Sequence, residues 1–281
     1  MNNFVFSLPT KVYFGTGQLR YLHDEACAYG KKVLLVYGGG SIKRSGLYSE
    51  IRSILNDCSI TELGGVEPNP KISTVSKGAE LCRKNDVDLI LAVGGGSAID
   101  CSKLTAAAAY YPGDPWDLVV DPSKITRALP IVCITTIAAT GSETDCAAVI
   151  SNPEVRLKLV TGHPALTPRC AFMDPTRTFS VPAKQTSAGA ADIMSHAMEN
   201  YFALPESAFI PDSFAEGVIR AVIKYAPIAL RQPDNYEARA QLMWASSMAI
   251  NGICDTGYSF ILNVFLKKKK LDYHLASRLK S

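Results

Sequence analysis

Three short apolar runs stand out in the first half of the chain, at residues 32–37, 88–93 and 130–135. Their apolar positions follow one another without alternation, which is typical of strands that are covered on both faces in a parallel sheet. Between the first two runs, residues 73–85 carry apolar or small side chains at nearly the period of a helix that lies on a sheet. This order of strand, helix and strand predicts a doubly wound, parallel-sheet α/β domain.

After residue 182 the hydrophobic pattern changes. Residues 183–202, 212–231 and 236–250 are rich in Ala, Met, Leu, Ile and Glu at helical spacing, without a strand-like run. We predict an α/β domain at residues 1–180, an all-helical domain at 181–257 and a divergent tail at 258–281. Proline punctuates the first boundary at Pro175 and Pro182, because it disfavours helix in the preceding residue. At the start of the chain, residues 4–6 and 11–15 predict one or two further strands, at a sheet edge or exchanged.

The composition of the chain argues against nucleic-acid and membrane partners. The 281 residues fit one large domain with a smaller one, and 29 basic against 26 acidic residues give a net charge of +3. A basic stripe with interleaved aromatic residues is missing, so we predict no nucleic-acid partner. The N-terminus has no basic segment followed by a long apolar one, and no stretch approaches the ~20 apolar residues of a membrane span. We therefore predict a soluble cytoplasmic protein with no membrane partner.

The eight cysteines are scattered singly along the chain, and several lie inside apolar runs. We interpret them as small buried hydrophobic residues in a reducing compartment.

Each of the three apolar runs is followed by a turn of Gly, Ser or Thr. Glycine at the end of a parallel strand leaves backbone N–H groups free to approach phosphate, and the N-terminus of the next helix favours negative charge. The candidate nucleotide-binding residues in these turns are Gly38, Gly39, Gly40, Ser41, Gly94, Gly95, Gly96, Ser97, Asp100, Thr136 and Thr140. Tight turns with a purely structural role are the alternative. The spacing matches neither GxGxxG nor GxxxxGK[ST], so it does not indicate an ordinary Rossmann dehydrogenase or a P-loop NTPase.

Asp192 and His196 lie four positions apart in a segment with helical periodicity. That spacing places a carboxylate and an imidazole on one helix face, where both can bind a single divalent metal ion. A solvated surface pair that binds nothing is the alternative.

Four segments together resemble a known family: residues 94–97 with Asp100, residues 139–143, Asp174-Pro175, and residues 188–196 followed by Glu199. They closely resemble the iron-containing (group III) alcohol dehydrogenases, in the branch of NADPH-dependent butanol dehydrogenases and aldehyde reductases. The resemblance runs from the N-terminus to about Gly257. It implies a dehydroquinate synthase-like fold, in which a nucleotide-binding α/β domain and a helical metal domain enclose a cleft where aldehyde and alcohol interconvert.

The resemblance also implies roles for single residues. The turn at 94–97 would hold the pyrophosphate of the cofactor, and Thr136 and Thr140 would line the nicotinamide. Lys158 is similar to a cofactor-contacting lysine of the family, with a surface lysine as the equal alternative.

The turn after the first apolar run, at residues 38–41, predicts the cofactor preference. In the family, an Asp at the place of Gly39 goes with NAD preference. Here Lys43 and Arg44 follow closely and no acidic residue stands in the turn, so space and donors are available for a 2′-phosphate. We predict NADP(H) as the cofactor.

For the metal, the resemblance makes Asp192 and His196 the first two ligands of a divalent ion, Fe or Zn. The two remaining family ligands are histidines, and the family pattern stops after about Gly257. His274 lacks the expected neighbours, and a solvated histidine is its favoured interpretation. We therefore expect a family member that is truncated after about Gly257, with an incomplete metal site, binding cofactor better than it turns over substrate.

The favoured function is hydride transfer between NADP(H) and an aldehyde or primary alcohol such as butanol, with the metal polarising the oxygen. Two alternatives stay open. One is a catalytically impaired paralogue that only binds nucleotide, and the other is a glycerol or sugar-alcohol dehydrogenase of the same superfamily. The expected partners are a small-molecule aldehyde or alcohol and a second copy of the chain in a homodimer.

Overall fold

A computed structural model describes residues 6–202 and 208–254, and a six-stranded parallel sheet is its centre. The strand order is β1-β8-β5-β4-β2-β3. The strands of this sheet are β1 Lys11–Phe14, β2 Lys32–Tyr37, β3 Ser59–Gly64, β4 Leu89–Gly94, β5 Ile131–Thr135 and β8 Cys170–Met173. The three apolar runs are thus the three neighbouring central strands β2, β4 and β5, and the predicted α/β class is confirmed.

Helices cover both faces of the sheet. In the α/β part they are α1 Leu22–Cys27, α2 Ser41–Arg44, α3 Leu47–Ile54, α4 Ile72–Lys84, α5 Gly96–Ala108 and α6 Asp117–Val120. One apolar cluster joins alternate strand residues such as Leu34 and Ile90 to α4 and α5. The other joins the intervening residues, such as Val33 and Leu91, to α1 and α3. Burial on both faces explains why these strands are continuously apolar.

The chain reverses direction across the sheet between β2 and β4. From β2 it moves outward to β3, and it then crosses back over β2 to form β4, β5 and β8 on the other side. In open α/β sheets, ligands bind outside the carboxyl ends of the strands at such a switch point. The turns after β2 and β4 flank this point.

Two strands of the described residues form a separate antiparallel hairpin, β6 Ala147–Asn152 with β7 Leu157–Gly162. The hydrophobic pattern did not predict this hairpin, and it did not predict β3 or β8. At the N-terminus, β1 is an edge strand parallel to β8, as one of the two sequence alternatives proposed. The other predicted strand piece, residues 4–6, falls mostly outside the described residues, and Phe6 itself is not in a strand.

Beyond residue 182 the described elements are three helices, α7 Ala183–Tyr201, α8 Phe209–Arg231 and α9 Tyr236–Met248. Their shared core includes Ile193, Val222 and Leu242. Helix α8 begins before the predicted residue 212, and Pro211 lies in its first turn, where a missing N–H costs no helix hydrogen bond. None of the helices in the described residues is long and apolar enough to cross a membrane.

Candidate active site

The turns that follow β2, β4 and β5 lie side by side at one edge of the sheet. Tyr37 is in register with Val93, and Gly94 is in register with Thr135, so the three strands end at the same level. The parallel order of these strands therefore places the three candidate turns at one edge of the sheet.

The turn after β4 depends on glycine for two reasons. Gly94 has φ +153°, and a Cβ on Gly95 would lie 2.4 Å from Cγ2 of Ile137. A Cβ on Gly96 would lie 2.6 Å from Oγ1 of Thr140. The close contact between the second and third turns thus supports the structural interpretation of these glycines, without opposing the phosphate-binding one. Helix α5 begins here with no side-chain cap, which leaves its first N–H groups available to an anion.

Lys158 is brought to the same turn through Asn69. Its Nζ donates to Oδ1 of Asn69 at 2.6 Å, and the backbone N–H of Asn69 donates to Oγ of Ser97 at 3.3 Å. Two predicted cofactor residues from distant parts of the chain, Ser97 and Lys158, are therefore joined by one short chain of hydrogen bonds. Thr136 and Thr140 lie on the neighbouring turn, where the Thr136 N–H donates to the Gly94 carbonyl at 3.0 Å.

Asp100 has protein partners on both carboxylate oxygens. Oδ1 accepts from the Ser142 hydroxyl at 2.7 Å, and Oδ2 accepts from the Val149 N–H at 3.0 Å. Burial raises the pKa of Asp100 to about 6, against the opposing effect of nearby Lys103. These bonds give Asp100 a structural role in the first turns of α5, and its predicted contact with the cofactor stays a prediction.

The Asp100 pKa predicts a specific pH dependence of stability. The folded state binds the proton more tightly than the unfolded chain, whose pKa is 3.8, so the contribution of Asp100 is present below that value. It is lost as the pH rises through about 6, by about 3 kcal/mol at 1.36 kcal/mol per unit. Urea unfolding of wild type and Asp100→Asn between pH 4 and 7 should show their difference changing by that amount in the variant's favour. A difference that stays constant over this pH range would contradict the prediction.

The turn after β2 is open. A Cβ built on Gly39 meets nothing within 4 Å, and the Arg44 guanidinium lies 3.8 Å from a Cβ built on Gly40. Glu62 on β3 lies close to this turn, since its Oε2 is 3.7 Å from Nζ of Lys43. Its two oxygens accept hydrogen bonds from the hydroxyls of Tyr37 at 2.7 Å and Tyr48 at 2.5 Å. Its carboxylate is thus occupied by protein donors.

Helix α7 reaches the third turn through a glycine. A Cβ on Gly189 would lie 2.3 Å from the carbonyl oxygen of Ala138, so only glycine permits this approach. One turn later, Oδ1 of Asp192 and Nε2 of His196 lie 3.9 Å apart, while Ile193 between them is fully buried in the helical core. The two candidate ligands therefore converge on one side of α7, as their spacing predicts.

The pair fits half of a metal site. Two donor atoms that each lie ~2.1 Å from one tetrahedral metal ion are ~3.4 Å from each other. The observed distance between Asp192 Oδ1 and His196 Nε2 is 3.9 Å, about half an ångström longer. In addition, Nδ1 of His196 is buried without a hydrogen-bond partner among the described residues. Within those residues, no cluster of three metal-ligating side chains includes Asp192 or His196. The predicted tail at 258–281 and His274 lie outside the described residues.

Sequence interpretation missed a buried polar network beneath these turns. The fully buried Lys103 Nζ donates to Asp145 Oδ1 at 2.5 Å, to Ser142 Oγ at 3.0 Å and to the Ala147 carbonyl at 2.8 Å. A lysine in a helix of small residues is the one signal that could have pointed to it.

Glu143 lies in a short 3-10 turn and is also buried. Its Oε1 accepts from Ser247 of α9 at 2.6 Å, and burial raises its pKa. This bond joins the helical part to the sheet edge.

Comparison with known proteins identifies the family of this chain. The family model for iron-containing alcohol dehydrogenases matches residues 9–175, and the model for the C-terminal part of that family matches residues 186–262. The chain belongs to the iron-containing alcohol dehydrogenase family. The C-terminal match runs slightly beyond the predicted end of the resemblance at Gly257.

Similar proteins share most of this chain. NADH-dependent butanol dehydrogenase A of Clostridium acetobutylicum is 56% identical over 92% of this chain and 67% of its own length. NADPH-dependent aldehyde reductase YqhD of Escherichia coli is 39% identical over 92% and 67%. The crystal structure of NADH-dependent butanol dehydrogenase A from Thermotoga maritima superposes with a TM-score of 0.87 at 41% identity, covering 90% of this chain and 64% of that one. The chain thus spans about two-thirds of the length of these relatives.

Proposed function

We propose that this chain carries the nucleotide site and two metal ligands of an NADP(H)-dependent alcohol dehydrogenase or aldehyde reductase, acting on an aldehyde or primary alcohol such as butanol. The observation that supports the proposal is the close approach of Gly189 to Ala138, since it holds α7, the helix that carries Asp192 and His196, against the turn after β5. The similar proteins described above are named as dehydrogenases and reductases.

Separate parts of the site would bind the cofactor and the metal ion. The N–H groups at the start of α5 would bind the pyrophosphate, and Lys158, oriented by Asn69, would add positive charge beside Ser97. Asp192 and His196 would hold a divalent Fe or Zn ion. When bound, such an ion stabilises the negative charge that develops on the substrate oxygen as hydride is transferred.

The test is direct. NADPH binding is measured by fluorescence, and turnover is measured with butyraldehyde, NADPH and added Fe²⁺ or Zn²⁺. We expect saturable NADPH binding and a slow metal-stimulated reduction, below the ~1–10³ s⁻¹ of a working enzyme, since the described residues supply two of the metal ligands. Nucleotide binding with no metal-stimulated turnover would contradict the catalytic part of the proposal, and absence of binding would contradict all of it.

Preference for NADP(H) over NAD(H) is part of this proposal. The similar proteins divide in name between NADH and NADPH, so the argument rests on the first turn. Gly39 leaves open space, Arg44 supplies a donor near Gly40, and the carboxylate of Glu62 is occupied by two tyrosine hydroxyls. A 2′-phosphate therefore meets room and positive charge, while a 2′-hydroxyl meets no free acid in this turn.

Gly39→Asp should shift the preference towards NADH. Gly39 does not have a positive φ and a Cβ there meets nothing, so the new side chain fits without strain. A hydrogen bond between a carboxylate and the ribose hydroxyls contributes about 1.5–3 kcal/mol, or ~10–150-fold in the ratio of dissociation constants. Fluorescence titration with both nucleotides measures the ratio, and Gly39→Asn is the uncharged control. Tighter binding of NADH than NADPH by the wild type would contradict the preference.

A further inference from the structure

A second cluster of metal-ligating side chains lies far from the candidate active site. It consists of His23 and Cys27 on α1, together with Asp57 and Cys58 in the connection between α3 and β3. Cys58 directly precedes β3, and Cys27 lies shortly before β2, so the cluster is at the amino ends of these strands. The glycine turns lie at the opposite, carboxyl ends.

The interpretation of the cysteines as small buried hydrophobic residues is wrong for Cys27 and Cys58. Five of the eight are buried, but Cys27 and Cys58 are partly exposed, and Cys146 is also partly exposed. The Sγ atoms of Cys27 and Cys58 lie 3.6 Å apart, although the residues are separated by 31 positions. The fold therefore creates a thiol pair that the sequence spacing does not reveal.

His23, Cys27 and Asp57 offer donor atoms that all lie within 4.8 Å of one another, and Cys58, outside that set of three, adjoins it through Cys27 and Asp57. Four of the six donor pairs have nearly the spacing of a tetrahedral zinc site. Besides the two sulfurs, Cys27 Sγ lies 3.6 Å from His23 Nε2, His23 Nε2 lies 3.0 Å from Asp57 Oδ1, and Cys58 Sγ lies 3.7 Å from Asp57 Oδ1. Tetrahedral coordination with Zn–S at ~2.3 Å and Zn–N or Zn–O at ~2.1 Å separates donors by ~3.4–3.8 Å. Two sulfurs, one imidazole and one carboxylate also suit zinc better than magnesium or calcium.

Neighbouring side chains suit a metal site. Asp24 Oδ1 lies 3.6 Å from Nδ1 of His23, the ring nitrogen that carries the proton when Nε2 binds a metal. Lys31 Nζ donates to Asp57 Oδ2 at 2.6 Å, which fixes the carboxylate with its other oxygen towards the cluster. The lysine charge also offsets the negative charge that two thiolates and a carboxylate bring to one divalent ion.

We propose that His23, Cys27, Asp57 and Cys58 form a structural zinc site that ties α1 to the start of β3. The site is independent of the proposed hydride-transfer function, because it shares no residue or sheet edge with the candidate active site.

Cobalt(II) is the probe, since thiolate ligands give it a charge-transfer band that oxygen and nitrogen ligands do not. The purified chain is reduced with a non-thiol reductant and titrated with Co²⁺, followed by Zn²⁺. We expect a thiolate-to-cobalt band that saturates at one equivalent and is bleached by zinc. Asp192 and His196 contain no sulfur and cannot produce this band.

Variants locate the ligands. Cys27→Ser/Cys58→Ser should lose the band, Cys58→Ser should retain about half of its intensity, and Cys146→Ser, the matched control, should retain all of it. Asp57→Asn keeps both thiols and should weaken cobalt binding by ~10-fold or more, so the test stands even if the cysteine variants fold poorly. Zinc should also raise the melting temperature of wild type and of Cys146→Ser by more than that of the double variant, which keeps Asp192 and His196.

Three results would overturn the proposal. They are absence of the band in the reduced wild type, survival of the band in the double variant, and isolation of a Cys27–Cys58 disulfide in a protein that binds no cobalt after reduction. The last result would identify the pair as a redox-active thiol pair.

Discussion

Lys103→Met is expected to lower the free energy of unfolding by about 3–5 kcal/mol, the usual effect of removing one partner of a buried ion pair. The Lys103 side chain has no exposed surface, and its ammonium holds Asp145, the Ser142 hydroxyl and the Ala147 carbonyl. Methionine fills a similar volume but leaves these acceptors without their shared donor, and it leaves the Asp145 carboxylate without its positive partner.

Urea unfolding of the purified variant measures this loss. Lys77→Met, at an exposed position of α4, is the matched control and should change the free energy by less than ~0.5 kcal/mol. Lys103→Met/Asp145→Asn should recover part of the loss, because the second substitution removes the uncompensated charge. A loss below ~1 kcal/mol in the single variant would show that water or neighbouring groups replace the lysine.

The sequence predicted the central sheet because its strands are covered on both faces. The runs that form β2, β4 and β5 are almost fully buried, so their hydrophobic pattern is continuous and distinctive. Strand β3 is half-buried and β8 has four residues, so neither gives a distinctive pattern. The hairpin of β6 and β7 has one exposed side, and its signal is weak for the same reason.

The candidate site was predictable only where local spacing determines geometry. Asp192 and His196 share a face because a helix places positions four apart together, whatever the rest of the fold does. The environment of Lys103 depends on residues about forty positions away, and lysine is rarely fully buried. The Cys27–Cys58 approach likewise depends on the packing of α1 beside the start of β3.

Asp192→Ala and His196→Ala should each reduce metal-stimulated reduction of butyraldehyde by ~100-fold or more while changing NADPH affinity less than ~2-fold. Stabilisation of the developing oxygen charge by a metal ion contributes several kcal/mol, and each 1.4 kcal/mol is a factor of ten. The nucleotide turns come from β2, β4 and β5, whereas both ligands come from α7. The two properties should therefore separate in these variants.

The measurement uses chains that also carry Cys27→Ser/Cys58→Ser, so that metal at the proposed zinc site does not contribute. Metal affinity and NADPH affinity are titrated separately, and Asp234→Ala, an exposed acid between α8 and α9, is the control that should change neither. Parallel loss of NADPH and metal affinity would mean that α7 stabilises the turns as a whole. Unchanged metal affinity would remove Asp192 and His196 from the metal site. Loss of metal affinity alone would assign the 3.9 Å pair on α7 as metal ligands.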